Sequence, residues 1–506
     1  MTSPPARGPR RTSIVSPLVL GDSDNAPPGA AQMVLTDEQN RRVVLVELRL
    51  GPGADPAAVR RDFLAFFEEV FRGADAPPPP VTVARHYMRC VLTPDEITQL
   101  VRGGQSPTDA STRRGLELIY HVWPDMVIHA HLDRSLSTIK ADAAAHAFRC
   151  GGSGVVWAIL DSGIDENHPH FAAHNTLRAD AVKKLHRDFT IPSSAGAARS
   201  PLTDGYGHGT HVAGIIAGEA PHDQKAMRIA YNEPTAQDLP QWALRTLPAG
   251  ATLSGVAPKA NLVSLKVLDG NGNTLSSVVL EAIDYVRTVN SDGRDLRIHG
   301  VNLSFGCPWP ATEYAAGQSP LCRELDLLVG SGVIAVVSAG NAGAGGTIEG
   351  VGNDVYGQLS TITDPGNAAT AITVGSVHRY RPHTYGVTFS SSKGPTLDGR
   401  RKPDLVAPGE RITSAATGQL IEGVPPLQPA AEDPAHVARY REDSGTSMSA
   451  AHVSGAIAAF LSVRSEYVGQ PQLVKQLFLD TASDLGRHEF YQGAGLIDLM
   501  RALSAT

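Results

Sequence analysis

Val155-Val156-Trp157-Ala158-Ile159-Leu160-Asp161-Ser162-Gly163 is the stretch on which the fold turns. An unbroken apolar run without polar alternation is what a strand buried on both faces of a parallel sheet requires. An acid at the carboxyl end of such a strand lies where open α/β sheets gather their site residues. The plainer reading of Asp161-Ser162-Gly163 is a strand-ending turn, because Asp and Gly both favour turns.

Outward from this strand the pattern repeats. Residues 262–267, 300–304, 333–337 and 371–374 are further β-rich runs, and helical sequence begins near His208, Ser276, Arg323, Ser447 and Gln472. The alternation predicts an α/β fold: a mostly parallel central sheet with helices on both faces, a three-layer sandwich. Stretches 219–252, 344–361 and 421–443 are polar or Gly/Pro-rich without a sustained apolar period, and read as inserted surface loops.

The region before this pattern has another character. Residues 42–50 and 81–92 read as strands. Residues 56–72 carry Val59, Phe63, Phe66, Phe67 and Val70 at helical spacing. Thr93-Pro94-Asp95-Glu96 is a capping box with proline at the first helical position, opening a short helix through Val101. A polar loop then leads to a strand near residues 126–129. The order is that of a small ferredoxin-like α+β domain. The expected division is a disordered tail at 1–38, this domain at 39–135, and the large α/β domain at 136–506.

The chain of 506 residues carries a net charge of -7 and is 42% hydrophobic. That balance offers no basic field for nucleic acid. No apolar run reaches the roughly 20 residues a bilayer span needs, so neither nucleic acid nor membrane is expected as a partner. Arg10-Arg11 precedes a short apolar stretch that Pro17 interrupts, so residues 1–38 read as a tail. A cytoplasmic location is the expectation, with secretion as the alternative. Cys90, Cys150, Cys307 and Cys322 form no CxxC pair, which removes the usual zinc and redox motifs. Reduced thiols are expected, although Cys307 and Cys322 could bridge a loop in an oxidising compartment.

Chemistry concentrates at four element ends. Residues 444–455 read Ser-Gly-Thr-Ser-Met-Ser-Ala-Ala-His-Val-Ser-Gly. Ser447 opens a helix of small residues, where free N–H groups and the positive dipole end would favour an oxyanion. It could equally be a capping serine. Residues 204–214 read Asp-Gly-Tyr-Gly-His-Gly-Thr-His-Val-Ala-Gly, placing His208 at a glycine-flanked start of a helix. A structural histidine or a metal pair with His211 are the rivals; the missing Glu and third ligand count against metal. Asn341, in Ser338-Ala339-Gly340-Asn341, either ends a strand in a turn or directs its amide at developing negative charge.

Taken together, Asp161-Ser162-Gly163, Gly207-His208-Gly209-Thr210-His211, Gly340-Asn341 and Gly445-Thr446-Ser447-Met448 resemble the signatures of the subtilisin-like (subtilase) serine proteases, in that family's chain order. Ser254-Gly255-Val256-Ala257-Pro258, Phe389-Ser390-Ser391 and Lys402-Pro403-Asp404-Leu405-Val406-Ala407-Pro408-Gly409 are similar as well, so the resemblance covers about residues 137–503. It implies a subtilisin-like sandwich and a serine endopeptidase working through an acyl-enzyme. Ser447 is then nucleophile, His208 general base, Asp161 its orienting acid and Asn341 an oxyanion donor. It further implies that Ser304, Phe305 and Gly306 pair with an extended peptide on one side. Leu268 and Asp269 would pair on the other, and Ala339 and Gly340 would line the pocket for the residue before the cut. Ala342 brings no charge there.

The small domain resembles the family's inhibitor-type propeptide. That implies a self-inhibited precursor whose partners are a protein or peptide substrate and its own N-terminal domain, with cleavage between about Asp133 and Ala145. A peptide ligase or macrocyclase on the same fold, and a latent intracellular protease awaiting a trigger, are the alternatives. No metal or cofactor is expected. His170 stands where many members place a calcium-binding acid, and Leu280 replaces the closing Glu of a calcium loop begun at Asp269. Calcium at another site stays open.

Overall fold

The computed structural model describes residues 14–15, 40–51, 53–73, 76–84, 86–103, 109–124, 134–190, 200–233, 241–247, 252–308, 315–344, 357–430, 433 and 436–505. The chain divides into two compact units, residues 1–129 and 130–506.

In the small unit, β1 (Arg42–Leu48), α1 (Pro56–Val70), β2 (Val81–Ala84), β3 (Tyr87–Leu92), α2 (Pro94–Arg102), α3 (Asp109–Leu118) and β4 (Ile119–Pro124) follow in order. The sheet runs β2-β3-β1-β4 with antiparallel neighbours. Alternate β1 residues Val44, Val46 and Leu48 turn inward onto Phe63, Phe66 and Phe67 of α1 and Ile97 and Leu100 of α2. The capping box forms as its sequence requires: Glu96 N–H donates to Thr93 Oγ1 at 3.2 Å and Thr93 N–H to Glu96 Oε2 at 2.7 Å. Two expectations change. Residues 81–92 form a hairpin rather than one strand. The polar stretch after Gly103 contains α3, a mostly polar helix with few apolar residues, followed by β4. The strand expected near 126–129 lies outside the described residues.

The large unit is built on seven parallel strands. In chain order these are β5 (Val156–Asp161), β6 (Arg187–Asp188), β9 (Asn261–Lys266), β10 (Gly300–Leu303), β11 (Ile334–Ser338), β12 (Ile372–His378) and β13 (Leu405–Glu410). Their spatial order is β13-β12-β11-β10-β5-β9-β6. Strand periodicity divides β5 between two cores. Trp157 and Ile159 join Val336, Val374 and the long helix described below. Val156, Ala158 and Leu160 join α7 (Ser276–Val289) and α8 (Pro320–Gly330) on the opposite face. Helix α8 begins three residues before the expected Arg323, because Ser319 caps it by accepting from Cys322 N–H at 3.3 Å and Pro320 fits its first position.

The first core holds α4 (Arg134–Thr138), α5 (Ala141–Phe148), α6 (His208–Ile216) and α9 (Thr446–Leu461). Every residue of α9 is buried, which only a helix of small and apolar side chains on all faces sustains. Ile139, Ala141, Ala144 and Cys150 pack into this same core, and Ser135, fully buried, meets His452 Nε2 at 2.8 Å.

Two of the three stretches read as loops contribute strands. β7 (Met227–Glu233), β8 (Gln241–Arg245) and β15 (Ala438–Asp443) join β14 (Ile412–Ala415) in a second sheet ordered β14-β15-β7-β8. Arginines conceal the period in β15, where Ala438, Tyr440 and Glu442 face inward while Arg439 and Arg441 alternate with them. Glu442 is held by Arg379, and by Arg411 Nε at 3.0 Å. Of 344–361, residues 345–356 lie outside the described part. All four cysteines are free thiols; Cys307 is exposed and the other three are buried.

Candidate active site

β5 carries Asp161 to the carboxyl edge of the sheet and leaves it 1% exposed. Its Oδ1 accepts from His208 Nδ1 at 2.8 Å and from Ser162 N–H at 2.8 Å. With the proton on Nδ1 directed at the acid, Nε2 of His208 is the free acceptor. His208 opens α6, and Gly209 admits this close packing: a Cβ there would stand 2.2 Å from Gly163 O and 3.1 Å from Asp161 Cβ.

Asp204 holds the His208 turn, a role the sequence reading passed over. Its Oδ1 accepts from Ser162 Oγ at 2.9 Å and Gly207 N–H at 2.7 Å. Its Oδ2 accepts from Thr210 N–H at 2.8 Å and Thr210 Oγ1 at 2.7 Å. Ser162 Oγ in turn accepts from Gly209 N–H at 2.9 Å. Burial raises the Asp204 pKa against these donors. Burial by itself would lower the pKa of His208. The charge and hydrogen bond of Asp161, aided by Asp443 and Asp204, outweigh it and push that pKa up to about 9.

Ser447 lies in the first turn of α9 and is 8% exposed. Its hydroxyl donates to Ser304 O at 2.9 Å, while Ser304 Oγ donates to Ser447 O at 3.1 Å. Behind them, Asn302 Nδ2 donates to Ser304 Oγ at 2.8 Å and Ser454 Oγ to Asn302 Oδ1 at 2.9 Å. Among the described hydrogen bonds, Ser447 Oγ makes none to His208.

Asn341 is exposed at the end of β11. Its Oδ1 accepts from Thr446 N–H at 3.0 Å and Thr446 Oγ1 at 3.1 Å, which assigns the amide orientation. Nδ2, which has no acceptor among the described hydrogen bonds, lies 3.3 Å from where a Cβ on Gly445 would stand.

Leu268, Phe305 and Gly306 line one pocket of about 210 Å³ with Val279, Leu321 and Asp364. Asp269 lines a neighbouring pocket and anchors its own turn, its Oδ1 accepting from the Asn271 and Asn273 N–H groups at 2.9 Å each. Gly340 is partly exposed. Ala339 is fully buried and its carbonyl accepts from Thr363 N–H at 3.1 Å, so its side chain sits behind the site rather than on its surface.

His170 is fully engaged. Nε2 donates to Gly214 O at 3.1 Å and Nδ1 accepts from Tyr440 Oη at 3.2 Å. Burial lowers its pKa to about 3, which keeps it neutral. A buried histidine with both nitrogens spent does not fit a calcium ligand, since that ion takes oxygen donors. Among the described residues, no group of three or more His, Cys, Asp or Glu side chains is placed to hold a metal.

The Subtilase family profile matches residues 152–495, two thirds of the chain, and the chain belongs to that family. It is a serine-type endopeptidase. It is 28% identical to subtilisin E of Bacillus subtilis (strain 168) over 387 residues, covering 76% of this chain and 75% of that protein. Serine protease AprX of the same organism is 27% identical over 353 residues, 69% of this chain and 65% of that protein. Pyrolysin of Pyrococcus furiosus is 29% identical over 336 residues, 59% of this chain and 21% of that protein.

Proposed function

We propose that Asp161, His208 and Ser447 are the triad of this endopeptidase and that the chain is made as a self-inhibited precursor. The observation that carries the triad is the 2.8 Å bond from His208 Nδ1 to buried Asp161, which leaves Nε2 as base. Ser447 Oγ attacks the scissile carbonyl and passes its proton to His208 Nε2, which returns it to the leaving amine. Asp161 fixes the imidazole tautomer and stabilises the imidazolium. The oxyanion is held by Asn341 Nδ2 and the Ser447 N–H, which has no acceptor among the described hydrogen bonds.

Residues 304–306, the segment that follows β10, are where the peptide pairs. A substrate N–H accepted by Ser304 O then competes with Ser447 Oγ for that carbonyl and frees the hydroxyl for His208. Active-site hydrogen bonds commonly tighten only when substrate is bound.

The precursor reading rests on the ferredoxin-like order of the small unit, and burial limits where it can be cut. Ser135, Ile139, Ala141 and Ala144 belong to the core around α9. A protease needs an extended, accessible segment, so cleavage falls before Ser135 and the expected window loses its later part. Intact mass of wild type and Ser447→Ala over time tests both claims. Wild type losing a fragment that ends before Ser135, while the variant stays whole, is the expected result. Equal processing of both proteins would defeat the self-cleavage reading.

A further inference from the structure

Among the described strands of the small unit's sheet, β4 stands at one edge, beyond β1. An open edge presents unpaired N–H and C=O groups, so it invites foreign pairing and frays easily. Here the edge is occupied from far upstream. Val122 N–H, within β4, donates to Ile14 O at 2.8 Å, and Val15 forms a parallel bridge with Val122. Val15 is 8% exposed and shares the core of Val44, Val46, Ile119 and Val122, with Ile14 packed against it. Residues 14–15 thus belong to this sheet rather than to the tail expected over 1–38.

The sequence of β4 fixes where the edge can be held. Val46 pairs with Val122 and Val44 with Pro124, so Val122 and Pro124 face the same edge. Pro124 has no N–H. Val122 is therefore the last donor this edge offers before the chain leaves the sheet, and Ile14 O takes it. An apolar pair is suited to this contact, its backbone meeting the edge while Val15 enters the core. β4 ends upstream of the cut expected before Ser135. A protease that pairs with extended peptide through the main chain attacks strands that fray, and a strand held on both edges frays less. We propose that residues 14–15 are a strap that holds β4 in the sheet and so sets how long the small unit survives once the chain has been cut. This role rests on the reading of the chain as a self-inhibited precursor. A packing contact without influence on that lifetime is the competing account.

Two variants of the full chain test the strap. Val15→Asp puts a charge into the core, and deletion of residues 2–15 removes the strap without burying one, so the deletion carries the comparison if the aspartate variant does not fold. Val15→Ile is the conservative control. In a Ser447→Ala background, where no self-cleavage is expected, hydrogen exchange read by mass spectrometry should be about tenfold faster over residues 119–124 in both variants and unchanged in Val15→Ile. With Ser447 intact, the released small-unit fragment is followed by intact mass. It should disappear about threefold sooner or more in the same two variants, with peptide-cleaving activity rising correspondingly earlier. Unchanged exchange over β4 overturns the strap. Faster exchange with an unaltered fragment lifetime leaves a packing contact and overturns the role in inhibition. A wild-type chain that is never cut defeats the precursor reading and the lifetime role with it, while exchange over β4 still decides whether residues 14–15 hold that strand.

Discussion

Ser447 and Ser304 hold each other reciprocally, hydroxyl to carbonyl in both directions, at 2.9 and 3.1 Å. The nucleophile of the proposed triad therefore rests on the segment after β10 that is expected to receive substrate, and Ser304 Oγ ties that segment to Asn302 and Ser454 beneath. Ser304→Ala removes the hydroxyl but leaves the carbonyl. It orphans Asn302 Nδ2 in a buried site, which should cost about 1–3 kcal/mol of stability. Urea unfolding measures that loss, and fluorophosphonate labelling of Ser447 should persist in the folded fraction. Ser447→Ala instead removes catalysis; the equivalent loss in subtilisin itself, about 10⁶ in kcat, sets the scale.

Asn341 has two separable ends. Asn341→Asp keeps an oxygen for Thr446 N–H and removes the free amide donor, whereas Asn341→Ala removes both. Loss of the donor should lower kcat by roughly 10² to 10³ with little change in KM, on the scale known for the corresponding subtilisin position. The alanine variant should also lose stability, because Thr446 N–H and Oγ1 lose their acceptor. Steady-state kinetics beside thermal unfolding separates the two effects. Equal kcat in wild type and Asn341→Asp would remove Asn341 from the oxyanion site.

Asp204→Asn should loosen the turn that presents His208. The carboxylate accepts from four groups, and an amide would set its NH₂ against the donors of Thr210 or of Ser162 and Gly207. A stability loss of about 1–3 kcal/mol and a lower kcat are expected, with KM for a peptide substrate nearly unchanged. An unaltered kcat in a destabilised variant would confine Asp204 to a structural role.

Much of this site was legible because its parts sit at element ends inside short contiguous patterns. Asp161 follows an apolar strand, His208 and Ser447 open helices of small residues, and Asn341 follows another strand. Asp204, Thr446 and Asp443 were not legible in their roles. Each acts through a partner distant in sequence or through a loop conformation, and their identities alone suggest only turns or surface acids. Strands β7, β8 and β15 were missed for a related reason. Arg228, Arg439 and Arg441 interrupt their apolar period, yet Arg228 meets Asp433 at 2.8 Å and Arg441 stacks 4.9 Å from the Trp242 ring, so polar-looking residues build a packed sheet.

Acid should unfold the large unit through its buried histidines. Burial lowers His170 to about 3 and His211 to about 4, and lowers His168 too. The unfolded chain takes up these protons near pH 6.5 and the fold refuses them, so stability falls as pH drops from about 6.5 through 4. Thermal midpoints measured from pH 7 to 4 should decline steeply. The decline should be shallower in His170→Gln, measured from that variant's own pH 7 value. Parallel curves for the two proteins would assign the acid loss elsewhere.

The activity profile should report His208 from the opposite direction. Its pKa is raised because Asp161, Asp443 and Asp204 favour the imidazolium more than burial opposes it. Protonated His208 contributes stability that is fully present below about pH 6.5 and lost as pH rises through about 9. Catalysis needs the neutral ring, so kcat/KM should climb with pH along an acid limb lying above 6.5. No described hydrogen bond or ion pair joins Asp443 to His208; its Oδ1 accepts from Ser444 N–H at 2.8 Å, a bond that asparagine can keep. Asp443→Asn thus removes one anion that favours the imidazolium and should move the acid limb to lower pH, widening the active range. A limb that stays in place, or moves upward, would show that Asp443 does not tune His208.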